Sequence, residues 1–94
     1  MDSLDEIRKR ISSIDAEMAA LFEKRMTESR KVAEYKIANG LSVTDLKREA
    51  ELIERNSMLI SDDSLKEYYV SFLQNLMDIS KAYQRSLVGE DKRD

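Results

Sequence analysis

Arg8, Arg25 and Lys36 stand where the surrounding pattern calls for apolar side chains. Arg25 takes a place in the row Leu4, Ile7, Ile11, Ile14, Met18, Leu21 and Val32. Lys36 lies eleven residues further on, close to the same face of a straight helix. Arg8 sits at the edge of the row, beside Leu4 and Ile11. Burying an unpaired cation is costly, so each needs an anion or another compensating partner. Asp45, Arg48 and Glu49 fall within one helical turn, with Glu49 inside the stripe Leu46, Ala50 and Ile53. Ser80 continues the stripe Leu73, Leu76 and Met77, and Gln84 follows four residues later. Polar groups on three apolar faces describe a pocket for a small anion. Arginine suits planar carboxylates through two parallel hydrogen bonds, and lysine acts as a point charge. Such a set can hold a reactant in one shape and stabilise negative charge as it develops.

Other chemistries are excluded by composition. The chain contains no Cys and no His. That removes disulfides, thiolate catalysis, cysteine metal sites, the usual general base and the commonest metal ligand. Neither a metal nor a cofactor is expected. Plainer roles fit each polar residue taken singly. An arginine on a helix seam can snorkel or form a structural ion pair. Asp45, Arg48 and Glu49 could form a surface charge ladder, and Ser80 and Gln84 could set helix register. The complete set, with several cations and few anions inside the stripes, favours a site.

The elements that must position these groups are helical. The 94 residues suffice for one domain, 1–94, and a domain this small is often stabilised by pairing with a second copy. There is no Pro, and Gly occurs only at positions 40 and 89, which disfavours strands joined by tight turns. Charged residues make up 37% of the chain, mixed in sign, as on solvated helix faces. The net charge of −3 offers no general attraction to nucleic acid or to an acidic membrane surface. The acidic start Met-Asp-Ser-Leu-Asp-Glu is no secretory signal, and no stretch is long and apolar enough to span a bilayer. A cytoplasmic location is expected.

Ser3 and Glu6 have capping-box spacing, and the apolar row that follows alternates steps of three and four. Asn39-Gly40 is a helix stop, so the first helix is expected from about residue 4 to about 39. Its length, roughly 50 Å, exceeds what two short helices of the same chain can cover. A second copy of the helix is therefore expected against it. Ser42 or Thr44 is expected to cap the second helix, with Asp45 in its first turn and an end near Ile60. Ser64 and Glu67 suggest a further capping box for a third helix carrying Leu65, Tyr69, Phe72, Leu73, Leu76, Met77 and Tyr83. That helix should fade around Val88-Gly89, leaving a frayed tail at about 90–94.

Arg8 and Arg25 are seventeen residues apart, roughly 25 Å along a helix, and cannot serve one small pocket within a chain. If the first helix packs antiparallel on its copy about a two-fold axis near residue 21 or 22, the partner's Arg8 falls level with residue 35 or 36. It then faces the pocket of Arg25 and Lys36, which describes a shared, dimeric site.

The constellation Arg8, Arg25, Lys36, Asp45, Arg48, Glu49, Ser80 and Gln84 resembles the active site of the all-helical chorismate mutases. The most recognisable stretches are residues 7–15, Ile-Arg-Lys-Arg-Ile-Ser-Ser-Ile-Asp, and 45–49, Asp-Leu-Lys-Arg-Glu. The resemblance extends from about residue 4 to about 87. It implies an intertwined homodimer of three-helix chains with antiparallel first helices and two pockets. It implies further that Arg25 and the partner's Arg8 bind the two carboxylates of chorismate. Lys36 and Gln84 would bond the ether oxygen of the breaking bond. Glu49 would hold the ring hydroxyl, helped by the backbone near Asp45, while Arg48 and Ser80 line the site and support a carboxylate. Gln84 is neutral, so activity at neutral pH is expected, whereas relatives with Glu at that place need acid to supply a donor.

Two other readings compete. The related lyase that splits isochorismate into salicylate and pyruvate shares the helical dimer and much of the cationic site, but Glu49 fits chorismate better. A non-catalytic helical dimerisation or regulatory module would pair Arg25 and Lys36 with buried carboxylates or replace them by apolar residues.

Overall fold

The computed structural model describes residues 1–89, and the expected frayed tail at 90–94 lies outside the described residues. The described residues form three helices and a short 3-10 turn, with no strand among them. Helix α1 spans Leu4–Ala38, α2 spans Leu46–Ser57, the 3-10 turn spans Asp63–Leu65, and α3 spans Lys66–Val88. The all-helical class and the bounds of α1 follow the sequence pattern closely.

Helix α1 starts where Ser3 Oγ accepts the Glu6 backbone N–H at 3.2 Å, with Asp5 and Glu6 favouring the positive end of the helix dipole. It stops at Asn39, and Gly40 takes the left-handed conformation (φ +65°) that lets Leu41 N–H return to the Lys36 carbonyl at 2.9 Å. Its 35 residues make it roughly 52 Å long, and the whole molecule extends 56 × 25 × 23 Å. One helix therefore sets the length of the protein.

Both other helical elements are organised by α3, which packs on α1, on α2 and on the 3-10 turn. Buried apolar side chains are Ala33, Val43, Leu73 and Met77. Ala33 and Val43 lie where α1 finishes, and Leu73 and Met77 lie further back along α3. The other half of α1 is uncovered: Leu4, Ile7, Ile11, Ile14, Met18 and Leu21 are each 39–61% exposed. The heptad row is present, but no element of its own chain buries it.

Three local expectations are corrected. Neither Ser42 nor Thr44 caps α2. Asp45 is the cap, with Oδ1 accepting the Arg48 N–H at 3.0 Å. Ser42 Oγ instead accepts the Thr44 N–H, and Thr44 Oγ1 accepts from Arg85 on α3. The second helix ends at Ser57, short of Ile60, because the chain turns through Met58 and Leu59, whose side chains stay exposed. Ser64 does not cap α3. Asp62 Oδ1 takes both the Ser64 N–H and its hydroxyl, winding residues 63–65 into the 3-10 turn from which α3 continues. These two hydrogen bonds hold the Asp62 carboxyl below its usual range. The far end behaves as expected: Gly89 is left-handed (φ +84°) and its N–H caps the Arg85 carbonyl.

Ala33 has no exposed surface, so its methyl group sets how closely α1 is packed. Ala33→Leu is expected to cost about 1–3 kcal/mol through overpacking, read from a lowered urea midpoint. An unchanged midpoint would mean that space for the larger side chain exists there.

Candidate active site

A cavity of about 420 Å³ opens where the C-terminal half of α1, the start of α2 and the C-terminal half of α3 converge. Small-molecule sites occupy this size range, about 300–1,000 Å³. Of the eight residues singled out in the sequence, Arg25, Lys36, Asp45, Arg48, Glu49, Ser80 and Gln84 all line it. Arg8 does not; it is exposed on the projecting half of α1.

The α1 wall is built by helical periodicity. Arg25, Ser29, Val32 and Lys36 repeat at steps of four, three and four, and all four side chains reach the cavity. Arg25 Nη1 donates to Ser80 Oγ across the α1–α3 junction, and Ser80 Oγ in turn lies 3.9 Å from Met26 Sδ. Burial lowers the Arg25 guanidinium from its ordinary value, and the charge of Tyr69 works in the opposite sense. Lys36 Nζ donates to the Val43 carbonyl at 2.8 Å. Val43 is buried, so this bond ties the connector between α1 and α2 against the end of the cavity.

The α2 wall begins at its cap. Asp45 fixes the first turn, and Arg48 and Glu49 follow on the cavity side. Glu49 Oε1 meets Lys81 Nζ of α3 at 2.9 Å, while Glu49 Oε2 is buried without a hydrogen-bond partner. On α3, Met77, Ser80, Lys81 and Gln84 follow the steps three, one and three of a single helix face. Gln84 Nε2 donates to Ser29 Oγ at 2.8 Å, and Gln84 Oε1 is buried without a partner. A serine hydroxyl can donate or accept, so the Gln84 amide can turn either its nitrogen or its oxygen toward the cavity.

Arg25 and Lys36 are half-buried and Arg48 is exposed at the cavity rim. Among the described residues, no carboxylate pairs with Arg25, Lys36 or Arg48. Arg25 and Lys36 have only neutral oxygen partners, and the four cations of the wall, with Arg48 and Lys81, outnumber its three carboxylates, Glu28, Asp45 and Glu49. No cluster of three or more carboxylates among the described residues is arranged to hold a metal ion. The wall can bind an anion of more than one charge and place cationic and amide donors beside it.

Sequence reasoning missed Ser29 and Lys81. Both were accessible through spacing. Ser29 lies four residues after Arg25 and seven before Lys36, and Lys81 lies four after Met77 and three before Gln84. In a chain with 16 Lys and Arg residues, one more lysine draws no notice until its face is mapped.

The family described as chorismate mutase type II matches residues 7–85, which include the eight residues singled out in the sequence. The chain belongs to the type II chorismate mutases. Members of this family are isomerases, and the chain is accordingly an isomerase. A chorismate mutase from Methanocaldococcus jannaschii is 30% identical over 91 residues, covering 96% of this chain and 92% of the relative. No solved structure gives a significant match. Among the described residues of this chorismate mutase family member, no helix is long and apolar enough to cross a membrane.

Proposed function

We propose that the cavity binds chorismate and converts it to prephenate, a step toward phenylalanine and tyrosine, with residues 1–94 acting as one cytoplasmic catalytic domain. The observation that carries this reading is the group of cations, Arg25, Lys36 and Arg48, lining one cavity without carboxylate partners. The family membership supplies the dianion they suit.

The reaction is a Claisen rearrangement within one molecule. The ether C–O bond breaks as a C–C bond forms, and no proton or electron leaves the substrate. Catalysis then consists of holding the compact conformer and stabilising charge on the ether oxygen. Arg25 takes one substrate carboxylate, steadied by Ser80, and Arg48 lines the wall that supports it. Lys36 exchanges its bond to the Val43 carbonyl for the ether oxygen. Gln84 adds an N–H donor to the same oxygen, with Ser29 accommodating the turned amide. Glu49 accepts the ring hydroxyl through Oε2, with Asp45 holding the adjacent backbone in place.

The second carboxylate is assigned to Arg8 of a second copy. The uncovered apolar row from Leu4 to Leu21 supports a homodimer, because water-exposed side chains of this kind gain about 25 cal/mol for each Å² they bury. An antiparallel pairing of the two α1 helices would bury the row and carry Arg8 to the other chain's cavity, so that two intertwined chains complete two sites.

The test is the loss of chorismate absorbance on adding the purified protein at neutral pH, with prephenate identified as product. Turnover without added metal or cofactor is expected. A folded protein that leaves chorismate untouched but releases salicylate from isochorismate would move the assignment to the lyase.

A further inference from the structure

Lys81 is a cavity residue to which the reading above gives no role. Its ammonium lies 2.9 Å from Glu49 Oε1 and 3.5 Å from Asp78 Oδ1, one turn earlier on the same helix. The Lys81 and Glu49 side chains are only 20% and 15% exposed, so solvent screens this pair less than the others in the chain, which reach 90%. The bond is one-sided. Oε1 is engaged, whereas Oε2 of the same carboxylate is buried and has no partner. A carboxylate in the wall of a site for a dianion presents a difficulty, since like charges repel and repulsion grows where water is excluded. An adjacent cation removes it, and by bonding one oxygen alone it leaves the hydrogen-bonding capacity of the other unused.

We propose that Lys81 is a positioning residue that neutralises Glu49 and fixes its rotation, leaving Oε2 to accept a ligand hydroxyl and so favouring dianions that carry one. This rests on the assignment of the cavity to chorismate. The carboxylate holds the Lys81 ammonium above its ordinary value, chiefly through the Glu49 hydrogen bond, so the cation persists throughout the neutral range. Lys81 acts through Glu49 and needs no contact with substrate. Its position on α3 and that of Glu49 on α2 also mean that the geometry of the hydroxyl acceptor depends on how these two helices are packed.

The experiment is a kinetic double-mutant cycle with chorismate, using the full chain, Lys81→Met, Lys81→Arg, Glu49→Gln and the Lys81→Met/Glu49→Gln double variant. Melting curves establish that each is folded, and Lys81→Gln serves if the methionine variant is not. Loss of one hydrogen bond to a charged group corresponds to about a tenfold rise in KM for Lys81→Met, with kcat changed less. Lys81→Arg should restore KM to within about threefold, since it keeps a charged donor. In the Glu49→Gln background, Lys81→Met should change KM less than about twofold, because an amide needs no counter-charge. Equal rises in both backgrounds would overturn the proposal and make Lys81 a direct partner of the substrate. A lowered melting point with unchanged KM would also overturn it, leaving a structural helix–helix bridge. Failure of the unmodified chain to turn over chorismate would instead sink the assignment of the cavity, and this proposal with it.

Discussion

Arg25→Ala and Lys36→Ala should each lower kcat/KM for chorismate by about a thousandfold while the protein still folds, a loss typical of removing one electrostatic contact from a charge-stabilising site. The folded state tolerates these changes for reasons visible around each side chain. Lys36 is half-buried and bonds only the Val43 carbonyl, which water can reach once the side chain is gone. Removal of Arg25 leaves Ser80 Oγ beside Met26 Sδ, a modest loss, and relieves the desolvation that burial imposes on the guanidinium. The two variants should differ in kinetics. Lys36, if it meets the ether oxygen as proposed, should act mainly on kcat, because charge grows there only in the transition state. Arg25, if it holds a substrate carboxylate as proposed, should act on KM as well, because that group is charged throughout. Steady-state kinetics with far-ultraviolet circular dichroism checks both. Near-normal turnover by either folded variant would show that the cavity is wrongly assigned.

Mixing two inactive proteins should restore activity if the site is shared. Arg8→Ala chains lack the contributed cation, and Arg25→Ala chains lack the resident one. In a heterodimer, one pocket combines the intact Arg25 of one chain with the intact Arg8 of the other, and the second pocket lacks both. After random exchange at equal amounts, half the dimers are mixed, and about one quarter of all pockets are complete. Activity should therefore rise from near zero to about a quarter of the unmodified level. Exchange verified by mass or by tagged subunits, with no recovery, would rule against the cross-chain role of Arg8. The effect rests on geometry: Arg8 is exposed and lies outside the cavity of its own chain.

What could be read from the sequence, and what could not, follows the range of the interactions involved. The start of α1 at Leu4, its end beside Gly40 and the stop of α3 at Gly89 depend on local signals and were legible. Gathering seven polar residues into one cavity was legible because helical periodicity assigns each to a face. The cap of α2 was not. Ser42 and Thr44 can cap a helix in isolation, but here Ser42 Oγ accepts the Thr44 N–H and Thr44 Oγ1 accepts from Arg85 of α3, while Asp45 caps the helix. Ser64 and Glu67 had the right spacing for a cap, but Asp62 competed locally for the same serine. Partners across helices escaped for a different reason, their distance along the chain. Nothing in linear order joins Gln84 to Ser29 or Lys81 to Glu49, pairs that exist only once α3 has docked.

The continuity of α1 limits how the gene for such a protein can change. One half of this helix carries the uncovered apolar row and Arg8, and the other carries Arg25, Ser29 and Lys36. Each residue added to or removed from a helix turns everything beyond it by about 100°. A single codon inserted between Arg8 and Arg25 would leave every side chain present, yet swing the row out of line with the cavity wall. Substitutions along the exposed flank have no such effect, and a change of length in the turn at 58–62 leaves the two halves of α1 in phase. The helix functions as a phase-locked ruler, and its reading frame of faces is constrained more tightly than most of the letters written on it.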